Sequence, residues 1–154
     1  MKAKDAILPV KERELVIQVL YSWAFTSKEK KEKEEESFLF SLMAQLFKKR
    51  EKEIESCVER MRKIWEERAW CEELIASLPH SFPLLHRVER VIVWQATFEM
   101  YHEIGKGGLS KEIIISEALR LCKKFGSNHS LPLINRLLEE LWKEVHKREE
   151  RVAS

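Results

Sequence analysis

The residues able to do chemistry in this chain are few, and their spacing argues against most chemistries. His80, His86, His102, His129 and His146 show no HExxH or other metal-ligand pattern, so they read as scattered surface histidines, and no metal is expected. Gly105, Gly107 and Gly108 form a G-x-G-G run. That run follows a helical pattern and lacks the lysine and hydroxyl of a phosphate loop, so it reads as a turn between helices. Asp5 is the only aspartate among 26 acidic residues, which excludes an EF-hand loop, an Asp-rich metal cluster and an Asp-based triad. Glu99 is more interesting, because it sits inside the most apolar stretch of the chain. A buried carboxylate must be paired, hydrogen-bonded or protonated. An ion pair with an Arg or Lys of a neighbouring helix is the expectation, ahead of a general base in a pocket. Nothing assembles a nucleophile, a base and an oxyanion site, so no catalytic residue, cofactor or enzymatic activity is expected.

Cys57, Cys71 and Cys122 form no CxxC pair. On one continuous helix the first two would stand ~21 Å apart, against the ~4–7 Å between Cα atoms that a disulfide spans. Reduced, partly buried thiols are the simpler reading. No apolar run approaches the ~20 residues of a membrane span, and the N-terminal stretch MKAKDAILPVKERE lacks the apolar centre of a signal peptide. A soluble, cytoplasmic protein without membrane contact is expected.

Binding chemistry is diffuse. Lys2, Lys4, Lys11 and Arg13 gather near the start, and residues 111–154 hold nine basic and seven acidic side chains, including Lys123, Lys124 and Arg136. Such clusters can neutralise phosphates, with Tyr21 or His129 offering a ring for base stacking. The net charge of only +2 restrains that reading, and residues 1–36 carry eight basic and eight acidic side chains. On charge alone, a solvated charged face is the simpler meaning.

The elements that would position these groups are helical. Among 154 residues there are four Gly, four Pro and two Thr, little material for strands and turns, while 44% hydrophobic and 35% charged residues suit one domain with a sizeable core. Val10, Ile17, Leu20, Tyr21 and Ala24 recur at helical spacing from Pro9 to Phe25, beside a polar stripe of Lys11, Glu14, Gln18 and Ser22. Residues 26–36 read as a mixed-charge connection. Residues 38–78 contain no Gly or Pro and read as one long amphipathic helix or, in a compact domain, two helices broken in the charged stretch 48–53. Ile54, Met61, Arg68 and Ile75 stand at seven-residue steps, but Arg68 spoils a coiled-coil seam. Residues 84–103 form a helix apolar on almost every side, which belongs at the centre of the fold. Ser110 caps the next helix, which ends at Gly126 in the usual C-terminal manner, and Ser130 and Pro132 open a last helix leading to a charged tail from about Lys147. The expectation is an all-α domain of six or seven helices over residues 1–154.

Three blocks, in order, resemble the NusB family of bacterial transcription antitermination factors. Residues 13–23, RELVIQVLYSW, resemble its opening helix, and Val88-Glu89-Arg90-Val91-Ile92 with Phe98-Glu99-Met100 resembles its central helix. Ile113 to Leu119, Lys123-Lys124-Phe125-Gly126, Ser130 and residues 133–139, LINRLLE, are similar to its C-terminal signature. The resemblance implies two small helical subdomains binding a boxA-type element of nascent RNA together with NusE, a small ribosomal subunit protein. Its setting would be the RNA polymerase antitermination complex, supporting terminator read-through and ribosomal RNA synthesis. RNA contacts would fall on Lys11, Arg13, Gln18 and Tyr21, and on His129, Ser130, Leu133, Asn135 and the neighbouring Arg136. The partner contact would fall on Glu89. Where the family opens with several arginines this chain has Pro9, Val10 and Lys11, and each phosphate contact so lost weakens RNA binding and flattens its salt dependence. A second expectation is therefore a helical interaction module that keeps the NusE-like partner surface without specific RNA binding. The exposed edge of the long middle helix leaves room for a homodimer.

Overall fold

A computed structural model of the chain describes residues 10–26, 51–79 and 85–153, and no strand occurs among them. Six α-helices follow one another: α1 (Val10–Thr26), α2 (Glu51–Glu66), α3 (Arg68–Ala76), α4 (Arg87–His102), α5 (Lys111–Phe125) and α6 (Leu131–Ala153). Short 3-10 turns occupy Lys106–Gly108 and Asn128–Ser130. The mixed-charge connection from Ser27 onward, the apolar residues Leu39 to Leu46 and His80 lie outside the described residues. No described helix is long and apolar enough to cross a membrane.

The segment that is apolar on every side becomes the hub. Every residue of α4 from Val91 to Met100 is buried, and α4 packs on each of the other five described helices. Its polar residues are partnered within the core, as burial requires. The Thr97 hydroxyl donates to the Val93 carbonyl at 2.8 Å and accepts from the Cys71 thiol at 3.3 Å, while the Gln95 side-chain oxygen accepts from Arg60 at 3.3 Å. All three cysteines are buried, and none of them forms a disulfide. Burial pushes the Cys71 and Cys122 thiols up to about 12, which keeps both protonated and unreactive.

Residues 51–76 hold two helices with a break at Glu67; of the stretch 48–53, where a break was expected, residues 51–53 are helical and residues 48–50 lie outside the described residues. Arg68, the residue that interrupts the heptad spacing, sits at that break. Its guanidinium stacks 3.6 Å from the Trp65 ring centroid and donates to the Trp65 carbonyl at 2.6 Å. Trp65 in turn meets Trp23 of α1 and Trp94 of α4 edge to face, at centroid distances of 5.7 and 6.1 Å. The indole N–H of Trp94 donates to Glu72 of α3 at 2.8 Å, and Arg90 pairs with the same carboxylate.

The glycine run is a turn, as its context required. Gly105, Gly107 and Gly108 have φ of 86°, 56° and 81°, the left-handed region that disfavours side chains, and they reverse the chain between α4 and α5. The Ser110 hydroxyl then accepts from the Ile113 N–H at 3.3 Å, capping α5. In α6 the stripe of Ile134, Leu138, Leu141 and Val145 is fully buried, each such side chain contributing about 1.5–3 kcal/mol through burial. The helix continues through the charged residues after Lys147 to Ala153.

Candidate nucleic-acid and partner interface

The first turns of α1 send charged side chains in two directions. Arg13 precedes Ile17 and Leu20 by four and seven residues, which places it on the apolar stripe facing α4. It is 1% exposed, and its guanidinium lies 2.6 Å from Glu99 and 4.0 Å from Glu117. Arg60 of α2 approaches the same Glu99 carboxylate at 3.0 Å and Glu103 at 2.8 Å. Burial pushes Glu99 above the usual carboxylate range, and the two guanidiniums oppose that rise. Glu99 is thus the inter-helix ion pair anticipated from its apolar setting. Arg13, expected among the RNA contacts, is its partner, and in this conformation no phosphate in solvent can reach it.

The other face of α1 carries Glu14 and Gln18. Gln18 is exposed, and Tyr21 is half-buried against the core. The Lys11 side chain lies outside those the structure describes. Glu14 meets two cations of α5: one carboxylate oxygen is 2.9 Å from Arg120 and the other 2.9 Å from Lys124. These contacts hold the Glu14 carboxyl below its ordinary range. Lys123 and Lys124 stood out in the sequence as a basic pair, whereas Arg120 did not. The signal was its position four residues before Lys124, on the same helical face.

The last turn of α5 leads through Gly126 to the second stretch. His129, Asn135 and Arg136 are exposed, and Ser130 and Leu133 are half-buried. Arg136 stands 3.8 Å from Glu140, one turn further along α6. Glu14, one turn before Gln18, thus meets α5, and the stretch from His129 follows α5 in the chain.

Glu89, expected on the partner face, is 1% exposed. One of its oxygens accepts from the His86 N–H at 3.2 Å, the other from the Ser127 N–H at 3.3 Å. It caps the start of α4 and ties it to the turn after α5, a role signalled by its place in the first turn of a helix. In this conformation it offers no carboxylate to a partner. Gly126 ends α5 at φ −108°, outside the left-handed region usual for a terminal glycine, so its requirement is space. A Cβ there would stand 3.0 Å from the Cys122 carbonyl and 3.0 Å from Glu89. Gly126→Ala is expected to lower stability by about 1–3 kcal/mol in urea unfolding, because neither buried neighbour can yield freely. A loss below about 0.5 kcal/mol would show that the turn adapts.

Among the described residues no group of three His, Cys, Asp or Glu side chains is placed to hold a metal ion. A surface groove of about 380 Å³ lies between α5 and α6, lined by Lys111, Ile115, Ser116, Leu119 and Glu139 and bridged by the Lys111–Glu139 pair at 2.7 Å. It does not include Glu99.

Comparison with known proteins gives a consistent answer. A family model described as the NusB family matches residues 10–143. A protein of Desulfovibrio desulfuricans named as transcription antitermination protein NusB is 28% identical over 139 residues, covering 86% of this chain and 82% of that protein.

Proposed function

The chain belongs to the NusB family, and from that premise we propose that it serves in transcription antitermination, binding a boxA-type element of nascent RNA together with a NusE-like small ribosomal subunit protein. It does so as a binding protein, without catalysis, within the RNA polymerase antitermination complex. The observation that carries this reading is the contact of Glu14 with Arg120 and Lys124, which joins α1 to α5, the helix that leads through Gly126 to His129. Gln18 of α1, Lys124 of α5 and, after it, His129, Asn135 and Arg136 are exposed. Polar side chains of this kind suit single-stranded RNA, whose bases are splayed and read at their edges. Tyr21, Ser130 and Leu133, half-buried, would support those contacts, and Lys11 would add charge at the start of α1.

A second reading, a protein-interaction module without specific RNA binding, is favoured by the burial of Arg13, which removes a cation from the RNA face. Because Glu89 is also buried, a partner surface in either reading must be formed by its exposed neighbours, such as His86 and Arg87 at the start of α4.

The two readings part in one titration. Fluorescent boxA-type RNA and a scrambled RNA of equal length are titrated with the protein, with and without the NusE-like partner, at about 50 and about 200 mM salt. The boxA-type RNA is expected to bind more tightly than the scrambled one, most clearly with the partner present. Equal binding of both RNAs under every condition would overturn the RNA reading and leave the interaction module.

A further inference from the structure

Lys124 and Arg120 stand one turn apart on α5, and each already holds an oxygen of the same anion. The Lys124 ammonium and an Arg120 terminal nitrogen are both 2.9 Å from the Glu14 carboxylate, one at each oxygen. Arg120 is additionally held by Glu117 at 3.1 Å. A carboxylate bridged in this way presents two oxygens and one negative charge. A phosphodiester presents the same pair of terminal oxygens and the same charge, and guanidinium and ammonium groups bind it well.

We propose that Arg120 and Lys124 form a phosphate-binding pair for the RNA backbone, and that Glu14 occupies it in the free protein as a built-in competitor. The inference rests on the RNA reading above and extends it to residues outside the two stretches that the family resemblance marked.

Exposure supports an exchange. The Lys124 side chain is 53% exposed and that of Glu14 only 16%, so an arriving phosphate meets the ammonium before it meets the carboxylate. Ion pairs at such exposure are weakly held, because water screens them and two long side chains must be kept in one geometry. Release of Glu14 would let the cations turn to a phosphate without disturbing the core, since Arg13, its neighbour in sequence, stays anchored on Glu99. The location also fits, because Lys124 and Arg120 precede His129 by five and nine residues, and the Glu14 they hold precedes Gln18 by one helical turn. An acidic residue of α1 masks the cations of α5 until a stronger anion arrives.

The test compares wild type with Glu14→Gln, with Arg120→Gln/Lys124→Gln, and with all three changes together. Glu73→Gln, an exposed position on α3, controls for net charge alone. BoxA-type RNA is titrated across a salt series, and thermal melting confirms that each variant is folded. Each cation freed for a single-stranded phosphate steepens the slope of log K against log salt by about 0.7, which corresponds to about 5-fold in affinity at 0.1 M salt relative to 1 M. Glu14→Gln is therefore expected to bind about 5- to 25-fold more tightly at 0.1 M salt, the lower figure applying if Glu117 retains Arg120. The gain should vanish when Arg120 and Lys124 are also replaced, and Glu73→Gln should leave the slope unchanged. Wild type that fails to bind while Glu14→Gln binds would support the proposal in its strongest form. If wild type binds and Glu14→Gln binds equally with the same slope, the competitor is overturned while RNA binding stands. If neither binds, the proposal and the RNA reading fall together.

Discussion

Replacing Glu99 with alanine is expected to lower the unfolding free energy by about 3–5 kcal/mol in urea denaturation, among the largest single effects available in this protein. The cause lies in the guanidinium it leaves behind. Arg60 keeps Glu103 at 2.8 Å, whereas Arg13 loses its 2.6 Å contact and is left 4.0 Å from Glu117. Arg13 is 1% exposed, so its charge can be neither rehydrated nor given up at accessible pH. A double replacement, Arg13→Met with Glu99→Leu, is expected to recover most of the loss, because an apolar pair removes both desolvation penalties together. A loss below about 1 kcal/mol for Glu99→Ala alone would mean that water reaches the buried guanidinium. RNA binding offers an independent reading of the same pair. If Arg13 serves only to seat α1, the double variant should bind RNA as wild type does; a loss of binding in that folded variant would return Arg13 to the RNA surface.

Trp65→Ala is the second change expected to be severe, at about 3–5 kcal/mol. Trp65 closes the end of α2, and its ring is met edge-on by Trp23 and Trp94 from two other helices. Truncation would leave a cavity at the junction of α1, α2 and α4, and would also remove the surface on which Arg68 stacks. Surrounding side chains cannot collapse into it freely, since Trp94 is tethered to Glu72 and Trp23 is 2% exposed. Typical domains are stable by only about 5–15 kcal/mol, so the variant should melt far earlier. Near-ultraviolet circular dichroism should lose the signal of the coupled indoles while far-ultraviolet ellipticity persists below the transition. A melting temperature within about 2 °C of wild type would show that the tryptophan cluster contributes little.

Periodicity was sufficient for the helices that carry one clear pattern. The stripe of α6, the unbroken apolar run of α4 and the glycine-rich reversal after it were legible because each follows from local rules of spacing, burial and backbone freedom. Glu99 was legible for a related reason: a carboxylate within a buried run has few outcomes other than an ion pair. Other features depend on what stands across from a residue. Arg13 and Glu14 are adjacent in the chain, yet one enters the core and the other meets α5 at the surface. The spacing of Arg13 to Ile17 and Leu20 hinted at the inward direction, but a charged side chain in that stripe counts as an exception until its partner is known. Glu89 is similar, since only the arrival of the Ser127 N–H makes an exposed-looking acid into an interior cap.

From sequence alone follow the helical class, the central position of the segment from Arg87 to His102, the absence of Asp-based chemistry and the resemblance to the NusB family. Those are properties of composition, period and local order. Tertiary structure alone decided which charges remain available to a ligand. The contacts of Arg13 with Glu99, of Glu89 with the Ser127 N–H and of Glu14 with Arg120 and Lys124 join residues some forty to more than a hundred positions apart, and only the packing of α1, α4 and α5 sets the distances at which they meet. Hence Arg13 holds the fold together, Glu89 closes a turn, and Glu14 covers the two cations that a phosphate would need.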